Sequence, residues 1–500
     1  GDGRRAFARS LGYRPSLRDR ITDWALGAPG LLYFGALAAA TVILAALLTS
    51  PLGEASAAWL AAAVALALLP AADAAIALVN QLVVLVVPPG RLSRLDYEKG
   101  VPEHARTVVV VPLLLGSVAV VREALDHLEA QYLANRDPQI RFALLGDFLD
   151  ADVEAMPGDD GIVQAAVDGI RALNEEHGGP ASHDGAAGPP FYLLHRRRQW
   201  NAVDRVWMGW ERKRGKLVDF NALASGADEH TFAVCEGDLP WLHRVRYVIT
   251  LDADTVLPRA AAAALIGTID HPLNRAVYDA QRGRVIRGYG ILQPRVSVSL
   301  ASANESHFAA IYAGHPGVDP YTTAVSDVYQ DLFGEGTFTG KGIYDLSIFR
   351  RATEGRFPDN TLLSHDLIEG TFARAGLVTD IEVFDDYPTR YLTARRRLHR
   401  WIRGDWQLLP WLRARVPGPR GLTPNPLTAL SRWKIADNMR RSANPVMLLV
   451  WLVAGWTILP GRGVEWTAAA IAALAMPWVV PLAIAALRPP GGQSWRPYYA

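Results

Sequence analysis

The chain has 500 residues, half of them apolar and 20% charged, with 51 Lys+Arg against 50 Asp+Glu and a formal balance of +1. The apolar residues gather at both ends and the charge in the middle. This excludes a disordered chain, a coiled coil and a fibrous repeat, argues against an ordinary soluble enzyme, and gives no overall pull on nucleic acid. The single cysteine, Cys235, excludes an internal disulfide and a cysteine-based zinc cluster. A first residue that is Gly1 and an abrupt stop at Ala500 read as an excerpt of a longer protein.

Residues 1–30 form a basic segment, with Arg4, Arg5, Arg9, Arg14, Arg18 and Arg20. Residues 31–49 are apolar without a charge, about the 20 residues that cross a bilayer core. A second apolar run, 57–88, is interrupted by Pro70 and Asp73. It predicts one spanning helix broken near Pro70, then an interfacial stretch, so that 31–88 make a hairpin plus a surface segment. Two more spans are expected at 445–460 and 467–487. The alternative, buried helices of a soluble protein, is weaker, because four such runs are hard to bury. Arg432, Lys434, Arg440 and Arg441 precede the third span and Arg488 follows the fourth, while the short links carry only Arg462. Basic residues stay on the cytoplasmic side. The region between the hairpins, and the tail 488–500, are therefore expected in the cytoplasm of a multi-pass membrane protein.

Residues 91–390 alternate strand and helix signals. Residues 106–112 (RTVVVVP) read as a buried parallel strand, 118–132 as a helix, 140–145 (IRFALL) as a strand, 159–177 as a helix, 178–190 as a Gly/Pro/Ala loop, and 191–195 and 246–251 as strands. The pattern predicts an α/β, Rossmann-like domain with a mostly parallel sheet, whose ligands bind beyond the carboxyl ends of the strands.

Three clusters there carry chemistry. Asp252-Ala253-Asp254-Thr255 puts two carboxylates at a strand end, an oxygen-only set suited to Mg²⁺ or Mn²⁺ shared with phosphates. A solvated strand-end turn is the bland alternative. Ser364-His365-Asp366-Leu367, with Glu369, offers a general base for a hydroxyl; a helix cap is the competing reading of Asp366. Residues 395–406 (RRRLHRWIRGDW), within an interfacial segment 391–444, pair guanidinium forks for phosphate with tryptophans for sugars, against a lipid-binding basic helix. The glycine-rich 334–342 (GEGTFTGKG) is a decoy for a P-loop, since its spacing is wrong and Gly342 stands where Ser or Thr is needed.

The order strand, D-x-D, glycine-rich loop, acidic triplet, R-W and membrane resembles the processive inverting glycosyltransferases typified by cellulose and hyaluronan synthases. The chain is more similar still, along nearly its whole length, to the glycosyltransferase domain of the cyclic β-1,2-glucan synthases. The stretches TLDADTVLPR (250–259), GYGILQPRVSVSL (288–300), 319–345, LLSHDLIEG (362–370) and RLHRWIRGDWQLLPWL (397–412) carry that likeness. The resemblance implies a GT-A fold, a UDP-glucose donor and a growing β-glucan acceptor. It implies that Asp252 and Asp254 hold the donor pyrophosphate through a divalent metal and that Asp366 is the catalytic base. Arg400 and Trp401 match the R-W pair flanking donor diphosphate and acceptor sugar. Asp147 is matched to the uracil or ribose, Lys216 to a basic position near the diphosphate, and Arg397 stands where the motif has Gln. Ser364-His365 replaces Thr-Glu, and no F-x-V-T gating loop follows Gln407. Chain growth on a protein tyrosine is then expected, with Tyr192 the candidate anchor. The rivals are a polysaccharide synthase of another linkage, and a non-catalytic transporter or scaffold, for which Asp73 is the one supporting charge within a span.

Overall fold

The computed structural model describes residues 3, 6–7, 10–178, 188–313, 327–363 and 365–487. Ser364, most of the 178–190 loop, part of the 319–345 stretch and the tail 488–500 lie outside the described residues.

The middle of the chain builds one sheet from β1 (Thr107–Leu115), β2 (Ile140–Phe148), β3 (Phe191–Arg196), β4 (Phe232–Glu236), β5 (Tyr247–Thr250), β6 (Ile291–Val298), β7 (Gly342–Asp345) and β8 (Ala375–Asp385). Its spatial order is β8-β6-β7-β5-β1-β2-β3-β4. All nine residues of β2 are buried, which explains a run without polar alternation. Val109, Phe142, Leu193 and Ile249 face one apolar layer, with the helices Val118–Ala134 and Asp159–His177. Val108, Ala143, Leu145 and Val248 face the other. Burying each of these side chains other than Ala143 contributes roughly 1.5–3 kcal/mol.

β5, β1, β2 and β3 are mutually parallel, as are β6 and β8. β7 runs antiparallel to both β5 and β6, and β4 antiparallel to β3. The sheet is therefore mixed but mostly parallel, as expected: six strands run one way, and β7 and β4 run against them. A parallel neighbour needs a crossover that returns the chain to the opposite edge; β7 instead enters from the carboxyl edge.

The flanking helices are α1 (Pro29–Leu48) and α2 (Ala57–Val86) before the sheet domain, and α6 (Ala429–Thr457) and α7 (Gly463–Leu487) after it; α3 (Arg212–Ala224), α4 (Asp366–Phe372) and α5 (Tyr391–Gln407) lie between. Among the described residues, three helical segments are long and apolar enough to cross a membrane: Pro29–Leu52, Ala57–Val86 and Gly463–Ile484. Two expectations need correction. α2 runs unbroken through Pro70, so no interfacial stretch begins there. Small residues, Ala63, Ala67, Ala71, Ala74 and Ala75, make up much of its buried face and let neighbouring helices pack closely. The expected span 445–460 is the second half of α6, whose first half is charged. Asp73 is bonded to Arg440 Nη1 at 2.6 Å, and Arg440 Nε to Asp437 at 2.8 Å, so this charge serves helix packing. α6 also grips the sheet domain, as Lys434 Nζ donates to the Gly336 carbonyl at 2.7 Å and Trp433 Nε1 to the Tyr329 hydroxyl at 3.0 Å.

Candidate active site

Strand register assembles the acidic residues. The parallel β1, β2 and β5 share a carboxyl edge, and the chain leaves β5 there into Asp252-Ala253-Asp254-Thr255. Gly342, at the start of β7, stands opposite Thr250, so Gly340 and Lys341 reach the same edge. β6 pairs antiparallel with β7 and parallel with β8, which brings the end of β8, Asp385, there too.

Asp252 receives two ammonium groups. Lys213 Nζ lies 2.5 Å from Oδ1 and Lys341 Nζ 3.0 Å from Oδ2. Lys341 also bonds Asp385, which accepts from the Thr255 hydroxyl at 2.7 Å. Burial opposes the charge of Asp252, but the two lysines outweigh it and hold the carboxyl well below the usual range. Asp254 moves the other way. Burial, then the like charges of Asp385 and Asp252, raise it against the opposing pull of Lys341 and Arg397. Asp254 and Asp252 offer oxygen donors of the kind a hard divalent cation such as Mg²⁺ or Mn²⁺ takes, with Lys213 and Lys341 paired to the two oxygens of Asp252.

Asp366 meets this group across Gly340. Lys213 Nζ donates to the Gly340 carbonyl at 2.9 Å, and Gly340 has φ of +88°. A β-carbon there would lie 2.7 Å from Asp366 Oδ1 and 3.0 Å from Oδ2. Only glycine permits both that backbone shape and that approach. Asp366 opens α4, but the cap position is His365, so the carboxylate is not spent on the helix end. Its Oδ1 is buried without a hydrogen-bond partner. His365 Nδ1 lies 2.8 Å from Glu369 Oε2 and 3.6 Å from Asp366 Oδ1. Burial disfavours the charged imidazole, but Glu369 and Asp366 outweigh it and raise the histidine above its ordinary value.

The remaining predicted residues divide. On α5, the Arg397 guanidinium lies 4.8 Å from the Trp401 ring centroid, and its charge reaches Asp254. Trp401 is 37% exposed and Arg400 is exposed on the same helix. Gln407, at its end, accepts from the Leu363 amide at 2.8 Å, tying α5 to the approach to Asp366.

Three of the predicted residues are buried inside the fold. Asp147 is buried and bonded to Arg196 through two contacts of 2.9 Å, with Lys216 Nζ at 3.3 Å, so its oxygens are held by cations inside the fold. Lys216 donates to the Leu113 carbonyl at 2.8 Å, and burial lowers its pKa to about 8. It is Lys213, one helical turn earlier on α3, that reaches the D-x-D. Tyr192 is 0% exposed, accepts from Arg141 Nη1 at 2.6 Å and donates to the Asp238 carbonyl at 3.1 Å. Burial pushes its hydroxyl pKa upward. A sugar chain cannot reach it without opening the sheet, so the anchor reading is corrected to a core tyrosine. Lys213, Lys341, Asp385 and Gly340 escaped the sequence reading. Their signals were the first lysine of KRGK and the lysine of the glycine-rich loop set aside as a decoy.

The fold and site together define an α/β domain with an acidic cleft at its strand ends, fastened to helices apolar enough for a membrane. No protein-family model matches the chain. It is 42% identical over 464 residues, 91% of its length, to the cyclic beta-(1,2)-glucan synthase NdvB of Rhizobium meliloti (strain 1021), and is a homologue of that enzyme over this stretch. The chain spans 16% of the length of that relative.

Proposed function

We propose that the chain is the glucosyltransferase unit of a cyclic β-1,2-glucan synthase, an inverting GT-A-type transferase embedded in the bacterial inner membrane with its sheet domain in the cytoplasm. UDP-glucose is the donor and a growing β-1,2-glucan the acceptor. The observation that carries this reading is Asp366 packed against Gly340, whose carbonyl shares Lys213 with Asp252, in a chain so similar to a named glucan synthase.

Asp366 Oδ1, lacking a partner, takes the proton of the acceptor hydroxyl as that oxygen attacks the anomeric carbon from the face opposite UDP. Mg²⁺ or Mn²⁺, held by Asp254 and Asp252, would offset charge on the diphosphate. Lys213, one-quarter exposed beside Asp252, adds fixed positive charge on the donor side. Exposed Arg400 offers a fork for phosphate oxygens, and Arg397 backs the Trp401 ring so that its open face meets the acceptor sugar. The pairing of Asp73 with Arg440 removes the feature that favoured a transporter.

The test is to incubate the membrane-inserted chain with labelled UDP-glucose and carry out linkage analysis. β-1,2-linked glucose supports the reading. Another linkage makes it a different polysaccharide synthase, and no transfer from any sugar nucleotide sinks the enzymatic reading.

A further inference from the structure

The loop 334–342 was the motif that resembled a phosphate loop and was not one. Its lysine has a different task. Lys341 is 5% exposed, between two glycines at positive φ, Gly340 at +88° and Gly342 at +149°. Those two bends turn its side chain inward beneath the D-x-D. There it touches Asp252 Oδ2 at 3.0 Å and bonds Asp385, itself 5% exposed and fixed by Thr255. Lys213 grips the other oxygen of Asp252, but its side chain is 25% exposed against 7% for Lys341. Lys213 thus stands at the open side of the cluster, whereas Lys341 is walled in. A buried ammonium persists only while its carboxylates hold it.

We propose that Lys341 is a positioning residue: an immobile internal cation, clamped by Asp385, that fixes the Asp252 carboxylate and sets how strongly the acidic pair takes a divalent metal. This rests on the metal reading of Asp252 and Asp254 given above. The formal charge shows the consequence. Asp252, Asp254 and Asp385 contribute −3 and Lys213 and Lys341 contribute +2, leaving −1. Removing Lys341 makes the cluster −2, and neutralising Asp385 makes it 0. Two residues in direct contact therefore act on metal affinity in opposite directions. Simple damage to the fold would weaken binding in both variants.

The experiment uses the full chain in detergent, with Mn²⁺ alone as probe. Free Mn²⁺ is counted by electron paramagnetic resonance, with and without UDP. Lys341→Met is expected to tighten Mn²⁺ about tenfold and Asp385→Asn to weaken it about tenfold, the scale of one screened unit charge near contact. Lys341→Arg keeps the charge, so it is expected not to tighten Mn²⁺ binding, and tightening in this variant also overturns the inference. Should the methionine variant fail to fold in a thermal melt, Lys341→Gln carries the same test. Weaker or unchanged Mn²⁺ binding on loss of the Lys341 charge overturns the inference while leaving the metal reading intact. A native chain that binds no Mn²⁺, with or without UDP, overturns the metal reading and this inference with it.

Discussion

Gly340→Ala tests the geometry of the cleft most directly. The new methyl would stand 2.7 Å from Asp366 Oδ1 and 3.0 Å from Oδ2. A carbon–oxygen contact settles near roughly 3.3 Å, so the carboxylate must withdraw by about half an ångström. Misplacement of a catalytic group by about 1 Å costs on the order of 10²-fold, so kcat is expected to fall about 10- to 100-fold. The backbone at φ of +88° adds about 1–2 kcal/mol of strain for any β-carbon. Gly355→Ala is the control. That glycine has φ of +65° and nothing within 4 Å of its added β-carbon, so it carries the strain without the collision. Both variants should lose similar stability in a thermal melt. Only Gly340→Ala should lose turnover of labelled UDP-glucose, with donor affinity by calorimetry nearly unchanged. If the two variants turn over alike, the contact between Gly340 and Asp366 does not set the position of the base.

Asp366→Asn keeps the shape of the base and cannot take a proton, so turnover should drop about 10²–10⁴-fold with UDP-glucose binding intact; near-native turnover moves the base to His365 or Glu369. Lys213→Met should raise the donor Kd while the melting temperature holds, whereas Lys216→Met, deep against Asp147, should chiefly lower the melting temperature; the reverse pattern would restore Lys216 to the donor site. Tyr192→Phe should keep glucan synthesis and lose about 1 kcal/mol of stability from its buried hydroxyl bonds, and hexose on the Tyr192 peptide by mass spectrometry would contradict its burial. Burial lowers the His195 pKa from 6.5 to about 4. The unfolded chain therefore binds the extra proton between those values, and stability should fall as the pH drops from 6.5 to 4, by at most about 3 kcal/mol. His195→Gln should flatten that part of the curve, and an unchanged slope would show that His195 is not its source.

The elements most legible in the sequence were those with uninterrupted apolar runs or an acidic first turn. The helix expected at 159–177 is found at Asp159–His177, and the run of valines in β1 announced a buried strand. β7 was not announced, because Gly342–Asp345 is four residues long and its neighbours β5 and β6 lie far away in sequence. Its pairing is a tertiary fact, and with it went the chance to see Lys341 and Gly340 at the cleft. Asp252, Asp254 and Asp366 were visible because acidic residues at strand ends and before apolar turns stand out locally. The exchange of Lys216 for Lys213 shows the limit of such reading. Both lie on α3, and only the packing of that helix decides which ammonium faces Asp252 and which is buried against Leu113.

The place of β7 has a consequence for how the protein acquires its shape. Before that strand is laid down, β1 to β5 form one half of the sheet, while β6 has no neighbour on the β5 side. β7 is the seam between β5 and β6, and it comes 92 residues after Thr250, counting from 250 to 342. Closing so long a loop around four residues is slow compared with local pairing. The residues just before the seam are Gly340 and Lys341, which touch Asp366 and Asp252. The act of joining the two half-sheets is thus also the act of completing the cleft, so a nascent or truncated chain that stops short of residue 340 would hold its D-x-D without the loop that faces it.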